Sequence, residues 1–288
     1  MKFPNVQDRS VIVTGCSSGI GAATAHVLRE RGWLVVPTAR KDEDLAVLAE
    51  DGFKPVKLDI CDSDSVKSAV AKALEITGGK IGGVVNNAGF GQPGAVEDLS
   101  RDALRQQFEV NLFGLQELTN LLIPTFRKQG YGRVVNVSSV LGRVSAPMIG
   151  AYCASKFALE ALSDSLRIEM RSAGIGVSII EPGPIVTAFR HRLGVQISEE
   201  LDSGQSRYGD VYDQEAERRK KQVKKINLFV RPPEDVAVKI AHALESSRPK
   251  RRYCVTFPAY FGAFASRFLP HALLDRSMAS KVPTIPGL

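Results

Sequence analysis

The run Ser10–Thr14 (SVIVT) leads directly into Thr14-Gly15-Cys16-Ser17-Ser18-Gly19-Ile20-Gly21, and this junction decides the fold. The β-branched run reads as a buried strand, and a helical pattern follows from about Ile20 to Arg31, where Gly32 can end it. Strand, glycine-rich turn and helix start, in that order, are what a dinucleotide site requires. Gly15 can make the tight turn, Gly19 permits close backbone approach to a pyrophosphate, and Gly21 lets helix and strand pack closely. The N–H groups of the turn, through Ser17, Ser18 and Ile20, together with the helix dipole, then face the anion. The spacing is G-x-x-x-G-x-G rather than G-x-G-x-x-G. Glycines alone could serve an ordinary turn, but their place between strand and helix argues for the ligand.

The same alternation continues outward from this turn. Strand-like runs stand at Leu34–Ala39, Phe53–Leu58, Gly83–Asn86, Gly132–Val137, Gly176–Ile180 and Arg252–Thr256, separated by helical patterns. They are apolar without strict alternation, as expected when helices cover both faces of a parallel sheet. The expected fold is therefore α/β: a single Rossmann-like domain over residues 1–288, with a doubly wound parallel sheet and helices on both faces. Pro37 inside the second strand predicts a local irregularity, and Pro124 predicts a break in the long helical region before Gly132. The rhythm fails between about 188 and 231, which reads as an inserted substrate lid carrying the basic run Arg218–Lys225.

Composition narrows the function classes. The chain has 288 residues, with 38 Lys+Arg against 31 Asp+Glu, a formal charge of +7. Its length is ample for a packed core without disulfides or a structural metal. The four cysteines contain no CxxC pair and the four histidines no HExxH, so no metal site is expected and a reduced, cytoplasmic compartment is the simplest reading. No apolar run approaches the roughly 18 residues of a transmembrane helix, and Met1 to Arg9 lacks signal-peptide character. The positive charge suits nucleic acid, an anionic surface or a phosphorylated small molecule.

Two features bear on chemistry. At the end of the second strand, where an acid would accept from the ribose hydroxyls of NAD, the chain has Ala39-Arg40-Lys41. A guanidinium binds a 2′-phosphate bidentately, so Arg40 favours NADP(H), with Asp42 close by. Further on, Tyr152 and Lys156 stand four residues apart in a strongly helical segment, one turn apart on one face. An ammonium near a phenol lowers its pKa and suits it to proton exchange with an alcohol or carbonyl.

These motifs, with Asn86-Asn87-Ala88-Gly89, Asn111 and Ser139 in the same order, resemble the short-chain dehydrogenase/reductase family from Val11 to Thr187. The resemblance implies a catalytic tetrad of Asn111, Ser139, Tyr152 and Lys156. Ser138 is a rival for the serine, and the family's usual interval before the tyrosine selects Ser139. Ser139 would donate to the substrate oxygen and Tyr152 would be the acid or base. Lys156 would lower the tyrosine pKa and bond the nicotinamide ribose, while Asn111 would hold a backbone kink and a water. The resemblance also assigns Asp59 and Ile60 to the adenine and Asn87, Ala88 and Gly89 to the adenosine side. It assigns the Pro182–Thr187 run, with Gly183 and Ile185, to the nicotinamide carboxamide. Similarity is greatest to the hydroxysteroid and retinol dehydrogenase branch, which implies a hydrophobic alcohol or carbonyl substrate.

Leu141, Val144, Met148, Ile149 and Phe189 are candidate pocket residues, with core packing as the alternative. A non-catalytic NADP-binding sensor or scaffold is the competing function. The run Arg218–Lys225 lacks interleaved aromatics and is expected to be a solvated helix face, not a nucleic-acid site. The Phe257–Leu274 segment is expected to pack on the domain or on another subunit, with Pro258 and Pro270 interrupting it. The family implies a homodimer or homotetramer.

Overall fold

Alternate residues of the central strands enter two separate cores, and this accounts for the layering. Val11 and Val13, Val85, Val135 and Val137 pack into one, while Ile12, Val84 and Val134 pack into the other. A strand whose side chains alternate between two apolar layers needs helices on both faces.

The computed structural model describes residues 2–201, 206–220 and 227–279. In chain order the first half contains β1 (Ser10–Val13), α1 (Gly19–Glu30), β2 (Leu34–Ala39), α2 (Asp42–Glu50), β3 (Val56–Lys57), α3 (Ser63–Ile76) and β4 (Gly83–Asn86). Next come α4 (Arg101–Phe108), α5 (Gly114–Gln129), β5 (Gly132–Val137), α6 (Gly150–Glu169) and β6 (Ile175–Glu181). The chain then continues through α7 (Phe189–Glu200), α8 (Gly209–Lys220), α9 (Pro233–Glu245), β7 (Arg252–Cys254), α10 (Phe257–Phe268) and α11 (His271–Ala279). Among these residues the strands form one parallel sheet in the order β3-β2-β1-β4-β5-β6-β7. The order reverses between β1 and β4, and ligands of open α/β sheets bind in the crevice beyond that switch point.

Three sequence expectations are corrected. The strand through Pro37 is continuous, pairing with β1 from Ser10↔Leu34 to Val13↔Pro37. Leu34 N donates to Arg9 O on the β1 side, and Ala39 O accepts from Leu58 N on the β3 side, so alternation turns the Pro37 nitrogen toward β3. The β3 ladder begins only at Thr38↔Val56, so no acceptor is left wanting. Helix α5 likewise runs through Pro124, because Asn120, whose carbonyl loses its donor, and Pro124 itself are both exposed to solvent. The break lies earlier, at a π-helical turn over Glu109–Phe113. Finally, β3 and β7 are shorter than their apolar runs.

The insertion is helical, not irregular. It starts and ends at one place, where Val186 N donates to Arg231 O and Arg231 N to Pro184 O. Between these points α7 and α8 pack on each other and on the loop after β4. Ile197, Tyr212 and Ala216 gather around Ala95, and the Tyr212 hydroxyl accepts from Ala95 N (2.9 Å) and bonds Asp98. Pro258 lies in the first turn of α10 and begins the helix instead of interrupting it. Ala259, Gly262 and Ala265 of α10 face the domain, while Phe257, Tyr260, Phe261, Phe264 and Phe268 are exposed.

Candidate functional site

The turn after β1 has the geometry its glycines suggest. Gly15 and Gly19 adopt φ of 71° and 61°, a region side chains rarely enter. A Cβ on Gly21 would lie 2.1 Å from Gly15 O, so the helix approaches the turn as only glycine allows. Thr14 was not singled out by sequence reasoning, yet its hydroxyl accepts from Asn87 N and Ala88 N, both at 2.9 Å. Asn87 Nδ2 in turn donates to Thr14 O (2.9 Å) and Gly15 O (3.1 Å), which ties the ends of β1 and β4 together. Cys16 is buried, with its N–H on Thr38 O (2.8 Å) and its thiol pushed up to about 12 by burial, so it is inert.

Two adjoining cavities lie along the carboxyl ends of the strands. One, of about 1180 Å³, is lined by Gly15, Ser17, Arg40, Asp59, Ile60, Ala88 and Gly89. The other, of about 560 Å³, is lined by Ser18, Gly19, Ile20, Asn87, Ser139, Tyr152, Lys156, Pro182, Gly183, Ile185 and Thr187. Gly15, Ser17, Ala88 and Gly89 belong to both, so the two are one crevice. Across it a Cβ on Gly19 would stand 3.1 Å from the Thr187 methyl, which places the Pro182–Thr187 run against the turn. Gly21 and Asn111 line neither cavity; each shapes the backbone from behind. Val144 is also absent from the lining and packs near Gly262 of α10, whereas Leu141, Met148, Ile149 and Phe189 do line the second cavity.

At the far end of the first cavity, Arg40 is exposed and bonds no other described residue. Its neighbours are already paired: Lys41 Nζ lies 3.0 Å from Glu43, and Asp42 is held by Lys57 at 2.8 Å. Arg40 is thus the cation left to meet an anion there.

Tyr152 and Lys156 stand one turn apart on α6, with the Lys156 nitrogen 5.7 Å from the tyrosine ring centre. Lys156 Nζ donates to Val137 O (2.9 Å) at the end of β5. The Ser139 hydroxyl accepts from Leu141 N (3.0 Å) and lies close enough to the Tyr152 phenol to favour its ionised form. Ser138, the rival, turns toward Glu160 beneath the helix: a Cβ on Gly142 would meet Ser138 Oγ at 2.8 Å and Glu160 Cγ at 3.1 Å. Among the protein's own groups, burial raises the Tyr152 phenol to about 12 and lowers the Lys156 ammonium to about 8. This departs from the expected lysine-depressed tyrosine. Desolvation outweighs a cation aimed at a carbonyl, and the nearby Ser139 hydroxyl supplies the opposing, acidifying influence.

Asn111 is fully buried in the π-helical turn. It donates to Phe90 O (2.9 Å) and Ser155 Oγ (3.0 Å) and accepts from Phe90 N (3.1 Å). The turn thereby fastens α6 to the segment after β4, and Ser155 is a partner that no sequence motif announced. Below α6, Glu160 and Asp164 bond Arg252 of β7 (3.0 and 2.7 Å), which also reaches Glu181 (3.1 Å). Burial and the nearby Glu181 push the Glu160 carboxyl up to about 7. This cluster locks the helix carrying Tyr152 to the end of the sheet. Arg218 and Arg219 of the basic run both bond Glu215 beside the second cavity, and Arg219 is largely covered instead of fully solvated. Lys221–Lys225 lie outside the described residues. Among the described residues no group of three or more His, Cys, Asp or Glu could hold a metal ion, and no helix is long and apolar enough to cross a membrane.

A parallel sheet with a glycine turn at its switch point, facing a Tyr-x-x-x-Lys helix, is the build of a dinucleotide-binding α/β protein. The short chain dehydrogenase model matches residues 9–197, and the chain belongs to that family of oxidoreductases. It is 39% identical over 274 residues to an uncharacterized oxidoreductase, YbbO, of Escherichia coli K12, covering 94% of each chain. It is 34% identical to the NADPH-dependent 3-dehydrocapnine reductase of Ornithobacterium rhinotracheale (93% of this chain, 95% of that protein). It is also 34% identical to retinol dehydrogenase 16 of Mus musculus (94% and 88%). A short-chain dehydrogenase structure from Streptomyces avermitilis superposes with a TM-score of 0.75 at 30% identity, over 94% of this chain and 97% of that one.

Proposed function

We propose that the protein is an NADP(H)-dependent oxidoreductase interconverting an alcohol and a carbonyl, with Tyr152 as the acid or base. The observation that carries this reading is the meeting of Ser139, Tyr152 and Lys156 in the same crevice as the glycine turn. The crevice suits a nicotinamide dinucleotide. Gly15, Ser17, Ser18, Gly19 and Ile20 would hold its diphosphate, Asp59 and Ile60 its adenine, and Ala88 and Gly89 its adenosine side. Pro182, Gly183, Ile185 and Thr187 would hold the carboxamide. When bound, the cofactor supplies or accepts the hydride.

The chain's own residues handle the proton. Ser139 donates to the substrate oxygen, and Tyr152, kept protonated by burial, delivers a proton to it in reduction. Lys156, anchored on Val137 O, would hold the cofactor's ribose with its remaining N–H groups. Asn111 and Ser155 keep α6 at the required height. Leu141, Met148, Ile149 and Phe189 give the substrate end an apolar wall, consistent with a hydrophobic substrate; the ring of Phe189 lies 5.4 Å from that of Tyr152.

The unpaired Arg40 supports NADP(H) over NAD(H), as does the NADPH dependence in the name of one relative. A homodimer or homotetramer accompanies the reading, in keeping with exposed Phe113, Phe157 and Leu162, and the four free cysteines suit a cytoplasmic location. The test is cofactor oxidation against a panel of ketones, steroids and retinal. NADPH should be oxidised in preference to NADH, and Arg40→Asp should raise the KM for NADPH about tenfold or more while sparing NADH. Equal use of both cofactors by the native protein would remove the role of Arg40. Tight NADP binding with no turnover across the panel would favour a sensor.

A further inference from the structure

Helices α7 and α8 bring four guanidiniums to the second cavity, of which Arg190, Arg218 and Arg219 cluster together. Arg218 and Arg219 share the buried Glu215 carboxylate, at 2.7 and 2.8 Å. Arg190, next to Phe189, donates from Nη2 to Arg218 O (3.2 Å), and its buried Nε meets no acceptor among the described residues. Here one carboxylate binds two arginines, while a third lies beside them with a desolvated N–H still to satisfy. The crowding registers on Arg190 itself, whose charged form is disfavoured first by burial and then by Arg218 and Arg219. A guanidinium in this state gains most from a planar anion, which accepts two parallel N–H bonds and relieves the like-charge contact. Arg192 is different: its Nη2 donates to Ser18 Oγ (3.1 Å), on the side of the glycine turn.

The same cavity has an apolar wall of Phe189, Met148, Ile149 and Val211, and Phe189, next to Arg190 in the chain, sets its ring 5.4 Å from that of Tyr152. We infer that Arg190, Arg218 and Arg219 form a binding site for an anionic group, a carboxylate or its isosteres, at the end of the substrate remote from the reacting carbon. The substrate is then an amphiphile, with an apolar body along Phe189 and Met148 and a charged terminus at the lid. This rests on the reading of the cavity as a substrate pocket. The anion would also bridge the already packed α7 and α8, because Arg190 belongs to the first helix and Arg218 and Arg219 to the second.

The experiment is calorimetric titration of decanoate and of methyl decanoate into the full chain saturated with NADP+. The carboxylate should bind about tenfold or more tighter than its ester, as a charge-assisted bidentate contact requires. Arg190→Gln and Arg219→Gln should each erase about tenfold of decanoate affinity while leaving the ester and NADP+ within about twofold. Equal affinities for acid and ester in the native protein overturn the inference. So does a loss in Arg190→Gln that falls on NADP+ instead of decanoate, since the arginines would then serve the cofactor's phosphates. Decanoate carries no reducible ketone and is read by heat of binding alone. Failure of the reductase reading, seen as absent turnover, is therefore distinguishable from failure of the anion site.

Discussion

Lys156 is 4% exposed, and burial lowers its ammonium from 10.5 to about 8. The unfolded chain therefore binds the lysine proton more strongly than the folded one between those values, and folding gains from this residue as pH rises through that window. Removing the charge with Lys156→Met should flatten that rise. The difference in unfolding free energy between native and variant proteins should change by about 1–3 kcal/mol from pH 7 to 10, read by urea titration. Use of the difference cancels groups such as Cys16, which titrate in both proteins. At this scale much of the site was legible in the residues. Gly15, Gly19 and Gly21 announced their turn because each has a steric reason to lack a side chain, and i, i+4 spacing put Tyr152 and Lys156 on one face. The direction of the tyrosine shift was not legible, because burial is set by residues such as Phe189 that are remote in sequence. Nor was the left-handed Met148 (φ 61°) at the cavity wall, an unfavourable conformation that only its tertiary setting holds.

Helices α7 and α8 show what patterning could not reveal at the scale of the element. Their apolar residues are sparse, and their contacts are made with each other, with the loop after β4 and, from α7, with Ile149 and Tyr152, so no continuous stripe marks them. The pin of this unit is Tyr212, 2% exposed, which joins α8 to Ala95 and Asp98. Tyr212→Phe leaves Ala95 N–H buried without its acceptor, at a cost of about 1–2 kcal/mol. Amide exchange in α8 should then quicken about tenfold, with exchange in β1, β4 and β5 unchanged. Pro124 misled in the opposite direction: a proline reads as a breaker, yet its cost is small where the orphaned carbonyl faces water. The real discontinuity, at Glu109–Phe113, is dictated by the Asn111 amide bonding Phe90 from both its nitrogen and its oxygen.

Across the whole molecule, the doubly wound order followed from strand–helix rhythm, since right-handed crossovers leave few alternatives. What rhythm could not supply is how the segment before β1 and the end of α9 close on the sheet. Arg133, 1% exposed on β5, donates to Gly132 O (2.9 Å), Pro4 O (2.7 Å) and Ser246 O (3.3 Å), joining the N-terminal arm to the end of α9. Arg133→Leu strands those carbonyls and should lower global stability by about 2–4 kcal/mol in urea unfolding. It lies at the opposite end of the strands from the crevice, so turnover per folded molecule should be retained. The function assigned to the molecule rests on one hydroxyl at the other end of those strands. The most direct measurement is NADPH oxidation by Tyr152→Phe against the best carbonyl of the panel, with NADPH affinity measured alongside. Turnover should fall by a factor on the order of 10² to 10⁴ while NADPH still binds, because only the proton is withheld. Turnover at the native rate would contradict the account.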